Sequence, residues 1–184
     1  RKKEKENGIG SFSTIALHLS GRVPTSSKIM EIVLRTIKRM NLTLVCVQPR
    51  EIEPLHLSLL SLLSSDLYKE ACDQIVPSYY DDDGVPPMFV ANADAMIISG
   101  DAGKALRAVV RKQPIIMLPF FADQLDMAER LERAGCGVTV NPVGSNMSEL
   151  LERAVDSVLS PNRIRLDMIE SMRWMKGVLL STGG

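Results

Sequence analysis

Cysteine is scarce in this 184-residue chain: Cys46, Cys72 and Cys136 stand alone and far apart. That spacing excludes a disulfide framework and a zinc knuckle. It suits a reducing compartment, so a cytoplasmic location is the expectation. Net charge is missing as well. The 22 basic residues balance 22 acidic ones, which removes the electrostatic case for a DNA- or RNA-binding surface. No apolar run approaches the roughly 18 residues of a membrane span. The leucine-rich stretch 55–63 is short, and Glu53 and Asp66 bracket it. Histidine is limited to His18 and His56, and neither lies in a triad arrangement or at metal-ligand spacing, so no metal site is expected.

What remains is 45% hydrophobic and 24% charged, enough to bury a core and too apolar for disorder. The length fits one domain, or one half of a two-lobed protein. The first residue is Arg1 rather than Met, which gives the expectation of a piece of something longer. Residues 1–12, opening RKKEKENGIG, read as a flexible arm or linker end, and residues 13–184 as the domain.

From Thr14 onward, strands and helices alternate. Residues 14–20 (TIALHLS) read as a strand with Ile15, Leu17 and Leu19 on one face and His18 packed on the other. Residues 26–41 read as a helix, with Ile29, Val33, Ile37 and Met40 recurring every three to four positions. Residues 42–47 (LTLVCV) are apolar throughout, as a strand covered on both faces should be. A helix over 53–69, a short strand over 74–77 and a polar loop over 79–87 follow; Asp81, Asp82 and Asp83 in that loop read as a solvated acidic run. The second half gives strands over 94–99, 113–119 and 137–140. Helices are expected over 102–112, 124–134 (Leu125, Ala128 and Leu131 inward), 148–159 and 162–178. On the last helix Ile164, Met168, Met172, Met175 and Leu179 form a stripe, with an exposed apolar patch expected at Met172, Trp174 and Met175. Six strands alternating with helices predict an α/β, Rossmann-like, six-stranded parallel sheet with helices on both faces. Ligands of such sheets bind beyond the carboxyl ends of the strands, so the loops after the first, fourth and fifth strands should converge there.

Three of those loops carry candidate chemistry. SGDAGK, residues 99–104, follows a buried strand and opens a helix. Gly100 and Gly103 let a ligand approach the backbone, and the N–H groups of Ala102, Gly103 and Lys104 could receive a diphosphate beside Ser99. The same residues also read as a plain tight turn with Asp101 as helix cap. It is no P-loop, because Ala105 follows Lys104. In FFADQ, residues 120–124, Asp123 and Gln124 could hold vicinal hydroxyls; alternatively Asp123 caps the next helix and Gln124 is solvated. In LSGRVP, residues 19–24, Ser20 and Gly21 could complete a phosphate site and Arg22 add charge, or the segment is a Gly–Pro turn. Cys136 reads as a small packed residue.

Residues 85–140, VPPMFVANADAMIISGDAGKALRAVVRKQPIIMLPFFADQLDMAERLERAGCGVTV, resemble the donor-binding region of GT-B glycosyltransferases. The nearest groups are the UDP-glycosyltransferases, the sterol and macrolide glycosyltransferases, and the soluble subunit of the dolichol-linked N-acetylglucosamine transferase. Pro86, Ala93, Asp94, Ala102, Gly103, Pro114, Pro119, Asp123, Gln124, Ala128, Gly135 and Gly137 match the family's pattern, ungapped from Ala93 onward. The family's donor-contacting histidine falls at Ser99, a glycine at Asp101, and a Ser/Thr at Lys104. Losing one charge-assisted contact costs about 1.5–3 kcal/mol.

The resemblance implies one lobe of a GT-B fold that binds a UDP-sugar, its donor substrate, through Ser20, Gly21, Ser99, Gly100, Ala102, Gly103, Lys104, Asp123 and Gln124. It implies no other cofactor and no metal. It also implies an N-terminal acceptor-binding lobe, or a separate partner subunit, that supplies the catalytic base; peripheral membrane contact would come only through an acceptor or partner. Two other readings stay open: a degenerate relative serving as a structural or interaction module, and a UDP-sugar 2-epimerase, whose pattern fits the Asp123-Gln124 frame less well.

Overall fold

The structure is a computed structural model that describes residues 13–19, 27–48, 75–79 and 88–182. The expected helix over 53–69, Cys72, the triple aspartate, His56, and Ser20, Gly21 and Arg22 lie outside the described residues.

Six strands alternate with helices. They are β1 (Thr14–His18), β2 (Thr43–Gln48), β3 (Ile75–Tyr79), β4 (Ala95–Ile98), β5 (Ile115–Met117) and β6 (Gly137–Thr139). The described helices are α1 (Ser27–Arg39), α2 (Met88–Ala91), α3 (Ala102–Arg111), α4 (Asp123–Arg133), α5 (Met147–Leu159) and α6 (Arg163–Thr182). All strand pairings are parallel, in the order β3-β2-β1-β4-β5-β6. This is the Rossmann-like arrangement expected from the alternation. Its strand order reverses between β1 and β4, where the two connections leave in opposite directions and open a crevice.

Strand side chains alternate between two cores. Ile15, Leu17, Leu44, Cys46, Ala95, Ile97 and Ile116 face α1 and α5. Ala16, Val45, Met96, Ile98, Ile115 and Met117 face α3 and α4. Helix α6 serves both, with Met168 in the first core and Met172 in the second. The expected methionine stripe is thus buried only in its middle: Ile164 and Leu179 are exposed, and of the expected surface trio Met172 is buried while Trp174 is 71% exposed. Burial of Met172 follows from the depth at which α6 packs against α3, which helical periodicity alone does not report.

Three helix-to-strand turns share one device. Asn41, Lys112 and Gly135 take positive φ of 53°, 59° and 67°. In each, the next amide reaches back to the last turn: Leu42 N–H to Ile37, Gln113 N–H to Ala108, and Cys136 N–H to Leu131. These are Schellman caps, which satisfy two orphan carbonyls and reverse the chain into the next strand. The cap at Asn41 ends α1 at Arg39, two residues before the periodicity does. Strand β3 runs on to Tyr79, past the expected end at Pro77. It lies at the sheet edge, where proline's missing N–H does no harm.

Two polar side chains brace this frame. Asp94 Oδ2 accepts the Thr14 N–H at 2.9 Å, and the Asp94 N–H returns to the Thr14 carbonyl at 2.8 Å. Its other oxygen lies 3.9 Å from Arg165 of α6. Gln113 is buried, and its Nε2 donates to the carbonyls of Val90 and Ala93, both at 2.8 Å, closing the end of α2.

Candidate functional site

The register pairs His18 with Ile98, so the carboxyl ends of β1 and β4 lie side by side at the switch point. From there β4 continues through Ser99, Gly100 and Asp101 into α3, while β5 leads through Phe120 and Ala122 into α4. These two turns touch. Gly100 has φ +108°, and a Cβ there would stand 2.7 Å from Gln124 Cβ. Only glycine permits both the backbone angle and that approach.

Gln124 is buried rather than solvated, and its Oε1 accepts the Phe120 N–H at 2.9 Å. The amide oxygen therefore folds its own turn. Gln124, Ala128 and Leu131 form the inward stripe of α4, while Leu125, expected inward, is 55% exposed. A glutamine with a backbone partner can take a core position that a leucine pattern would claim. Ala122 precedes the helix with φ 32° and ψ −107°, a strained backbone held by the packed turns on both sides. Asp123 is exposed as the first residue of α4; Ala122, not Asp123, holds the cap position, and no side chain caps this helix.

Asp101 caps α3. Its Oδ1 accepts the Lys104 N–H at 3.0 Å, and its carbonyl accepts from Ala105. One of the three amides expected to receive a ligand is thus occupied by the protein's own carboxylate. The amides of Ala102 and Gly103 belong to the first turn and have no intrahelical acceptor. Among the described residues, a Cβ built on Gly103 would meet only Asp101 Oδ1, at 3.3 Å, so none of them covers this turn. Ser99, at the start of this turn, is fully buried.

His18 is 3% exposed. Burial, and then the charges of Lys104 and Arg107, push its pKa down to about 3. It is a neutral imidazole under the first turns of α3. Burial also lowers the Lys104 pKa; Asp101 opposes that shift and Arg107 adds to it. Arg107 escaped the sequence reading, although Lys104-x-x-Arg107 puts both cations on one helix face. Gln113 escaped it too, since nothing in the sequence marks a glutamine before proline as a helix clasp.

Among the described residues no group of His, Cys, Asp or Glu could hold a metal ion. No described helix is long and apolar enough to cross a membrane.

Comparison with known proteins bears on this edge of the sheet. Residues 91–176 match the UDP-glucoronosyl and UDP-glucosyl transferase family. A segment of 47 residues is 47% identical to human UDP-glucuronosyltransferases 1A9 and 1A1, covering 26% of this chain and 9% of theirs. The fold resembles rice (O. sativa) Os79, solved in complex with UDP: TM-score 0.70, 17% identity, 89% of this chain and 35% of that one. It also resembles the kitacinnamycin glycotransferase (TM-score 0.72, 15% identity, 95% and 41%) and the spinosyn rhamnosyltransferase SpnG (0.65, 21%, 91% and 41%). The chain thus spans well under half the length of these relatives. Residues 91–176 thus resemble the UDP-glucoronosyl and UDP-glucosyl transferase family, within an α/β fold that the chain shares with part of these longer glycosyltransferase chains.

Proposed function

We propose that this domain binds a UDP-sugar as the donor lobe of a glycosyltransferase. The observation that carries the reading is the open first turn of α3 at the β1/β4 switch point, inside the segment that matches UDP-sugar transferases. A diphosphate would rest on the N–H groups of Ala102 and Gly103, where the helix end favours negative charge. Lys104 would add a cation, and the loop carrying Ser20 and Gly21 would close the site from β1. Asp123, together with the Nε2 of Gln124, would hold sugar hydroxyls. Glycosyl transfer would proceed without a metal, the leaving diphosphate held by preorganised N–H donors. The acceptor and the base would come from an N-terminal lobe, on the same chain or on a partner. Any membrane contact would come through that acceptor or partner.

A second reading, an interaction module without catalysis, is favoured by one feature: the Asp101 carboxylate already sits at the helix end that a donor would need. Calorimetric titration with UDP and with several UDP-sugars separates the two. Donor binding predicts that both associate, and that Asp123→Ala weakens the nucleotide sugar while leaving UDP nearly unchanged. If neither binds at millimolar concentration, even with the acceptor lobe supplied, the donor reading fails.

A further inference from the structure

Helix α6 buries Met168 and Met172 and turns another face outward. On that face Asp167, Glu170, Ser171 and Trp174 fall at i, i+3, i+4 and i+7, so they stand in one row. With Ala134 at the end of α4 they line a cavity of about 440 Å³. The two elements are locked together beside it. A Cβ on Gly135, which has φ +67°, would stand 2.9 Å from Ser171 Oγ, so only glycine permits this contact. The groove is therefore part of the packed fold.

Its lining combines an indole with negative charge. Trp174 is left largely in solvent, although tryptophan is highly buried on average. The lining residues include two carboxylates and no cation. Asp167 has Arg163 as a partner 3.7 Å away, but both side chains are mostly exposed, where solvent weakens such a pair. Glu170 has no ion pair with another described residue. An indole face and a carboxylate attract the same group, and guanidinium suits both: it stacks flat on the ring while its edge donates to oxygen. The walls are too exposed to enclose a small molecule, as ligand pockets do. A side chain held by a larger body needs no such enclosure, because the surrounding contact excludes water.

We propose that the α4/α6 groove docks an arginine-bearing segment of a partner polypeptide, its guanidinium stacked on Trp174 and paired with Glu170 and Asp167. Such docking requires no nucleotide at the α3 turn and stands whether or not the domain binds a donor.

The test titrates the isotope-labelled full chain with the peptide acetyl-Gly-Arg-Gly-Arg-Gly-amide and follows NMR shifts. A second peptide replaces each arginine by citrulline, which keeps the shape and loses the charge. The Trp174 indole N–H and the amides of Ala134 and Ser171 should move together with the arginine peptide at millimolar concentration, and stay still with citrulline. Glu170→Gln and Trp174→Leu should each weaken the arginine peptide about fivefold or more. The exposed Glu149 of α5 provides the control, since Glu149→Gln should leave the affinity unchanged. All three side chains are exposed, so the variants should fold, and thermal melts check this. Equal shifts with both peptides overturn the proposal, because they mark an apolar groove. Wild-type affinity in Glu170→Gln and Trp174→Leu overturns it as well, as does the absence of any shift. N-acetylarginine amide binding as tightly as the peptide would mean a site for a free cation instead. Shifts that follow the chain's own concentration, with no peptide present, would make a second copy the occupant and overturn it too.

Discussion

His18 shows how one buried residue couples the fold to pH. Its folded pKa of about 3 lies below the ordinary histidine value of 6.5, so the unfolded chain binds the extra proton first as pH falls. The stability this adds is complete above pH 6.5 and is lost progressively between 6.5 and about 3. Lowering the pH from 7 to 5 should therefore cost about 2 kcal/mol through this residue alone. Urea melts of the wild type against His18→Gln check it: the variant should lose most of that acid sensitivity, and parallel pH profiles would refute the assignment. The same residue shows what a sequence discloses. Alternation with Leu17 and Leu19 placed His18 on the opposite face, packed, and so it is. Its neighbours Lys104 and Arg107 come from a helix some 90 positions away, which periodicity does not bring near. Gln124 and Gln113 were opaque for another reason: each satisfies backbone groups that exist only once the turns have formed.

Helix α3 is bounded by two residues that differ from the best choice for their position. At its end Lys112 holds φ 59°, a left-handed angle that costs a non-glycine residue roughly 1–2 kcal/mol. Lys112→Gly should raise stability by about 1 kcal/mol, net of glycine's greater unfolded freedom, and a thermal melt reads it directly. At its start Asp101 both caps the helix and places an anion at its mouth. Asparagine keeps the cap but not the charge. Asp101→Asn should leave the melting temperature nearly unchanged and tighten UDP roughly tenfold, whereas Asp101→Ala should cost about 1 kcal/mol of stability. Unchanged UDP affinity in Asp101→Asn would show that the carboxylate does not compete with the ligand. Element identities were readable because α/β strands are short apolar runs and the helices are amphipathic. Ends were less so, since caps at Asn41 and Lys112 depend on left-handed angles at residues other than glycine.

Across the whole molecule, the sheet separates two regions of different character. The carboxyl edge carries the open α3 turn. On the amino side, Asp94 ties the start of β1, the start of β4 and the start of α6 together, and Ala134 at the end of α4 faces a cavity of about 440 Å³ lined by Asp167, Glu170, Ser171 and Trp174. Trp174 is the chain's single tryptophan. All indole emission from this chain therefore comes from one solvent-facing ring, beside Ala134 at the far end of α4. The spectrum should peak toward the red, as for indole in water, and acrylamide should quench it efficiently. Saturating UDP should leave the emission where it was, while any body that settles on α6 should shift it to the blue and slow the quenching. The domain thus carries a built-in optical label that should report on whatever approaches α6 and stay silent to a ligand at the α3 turn.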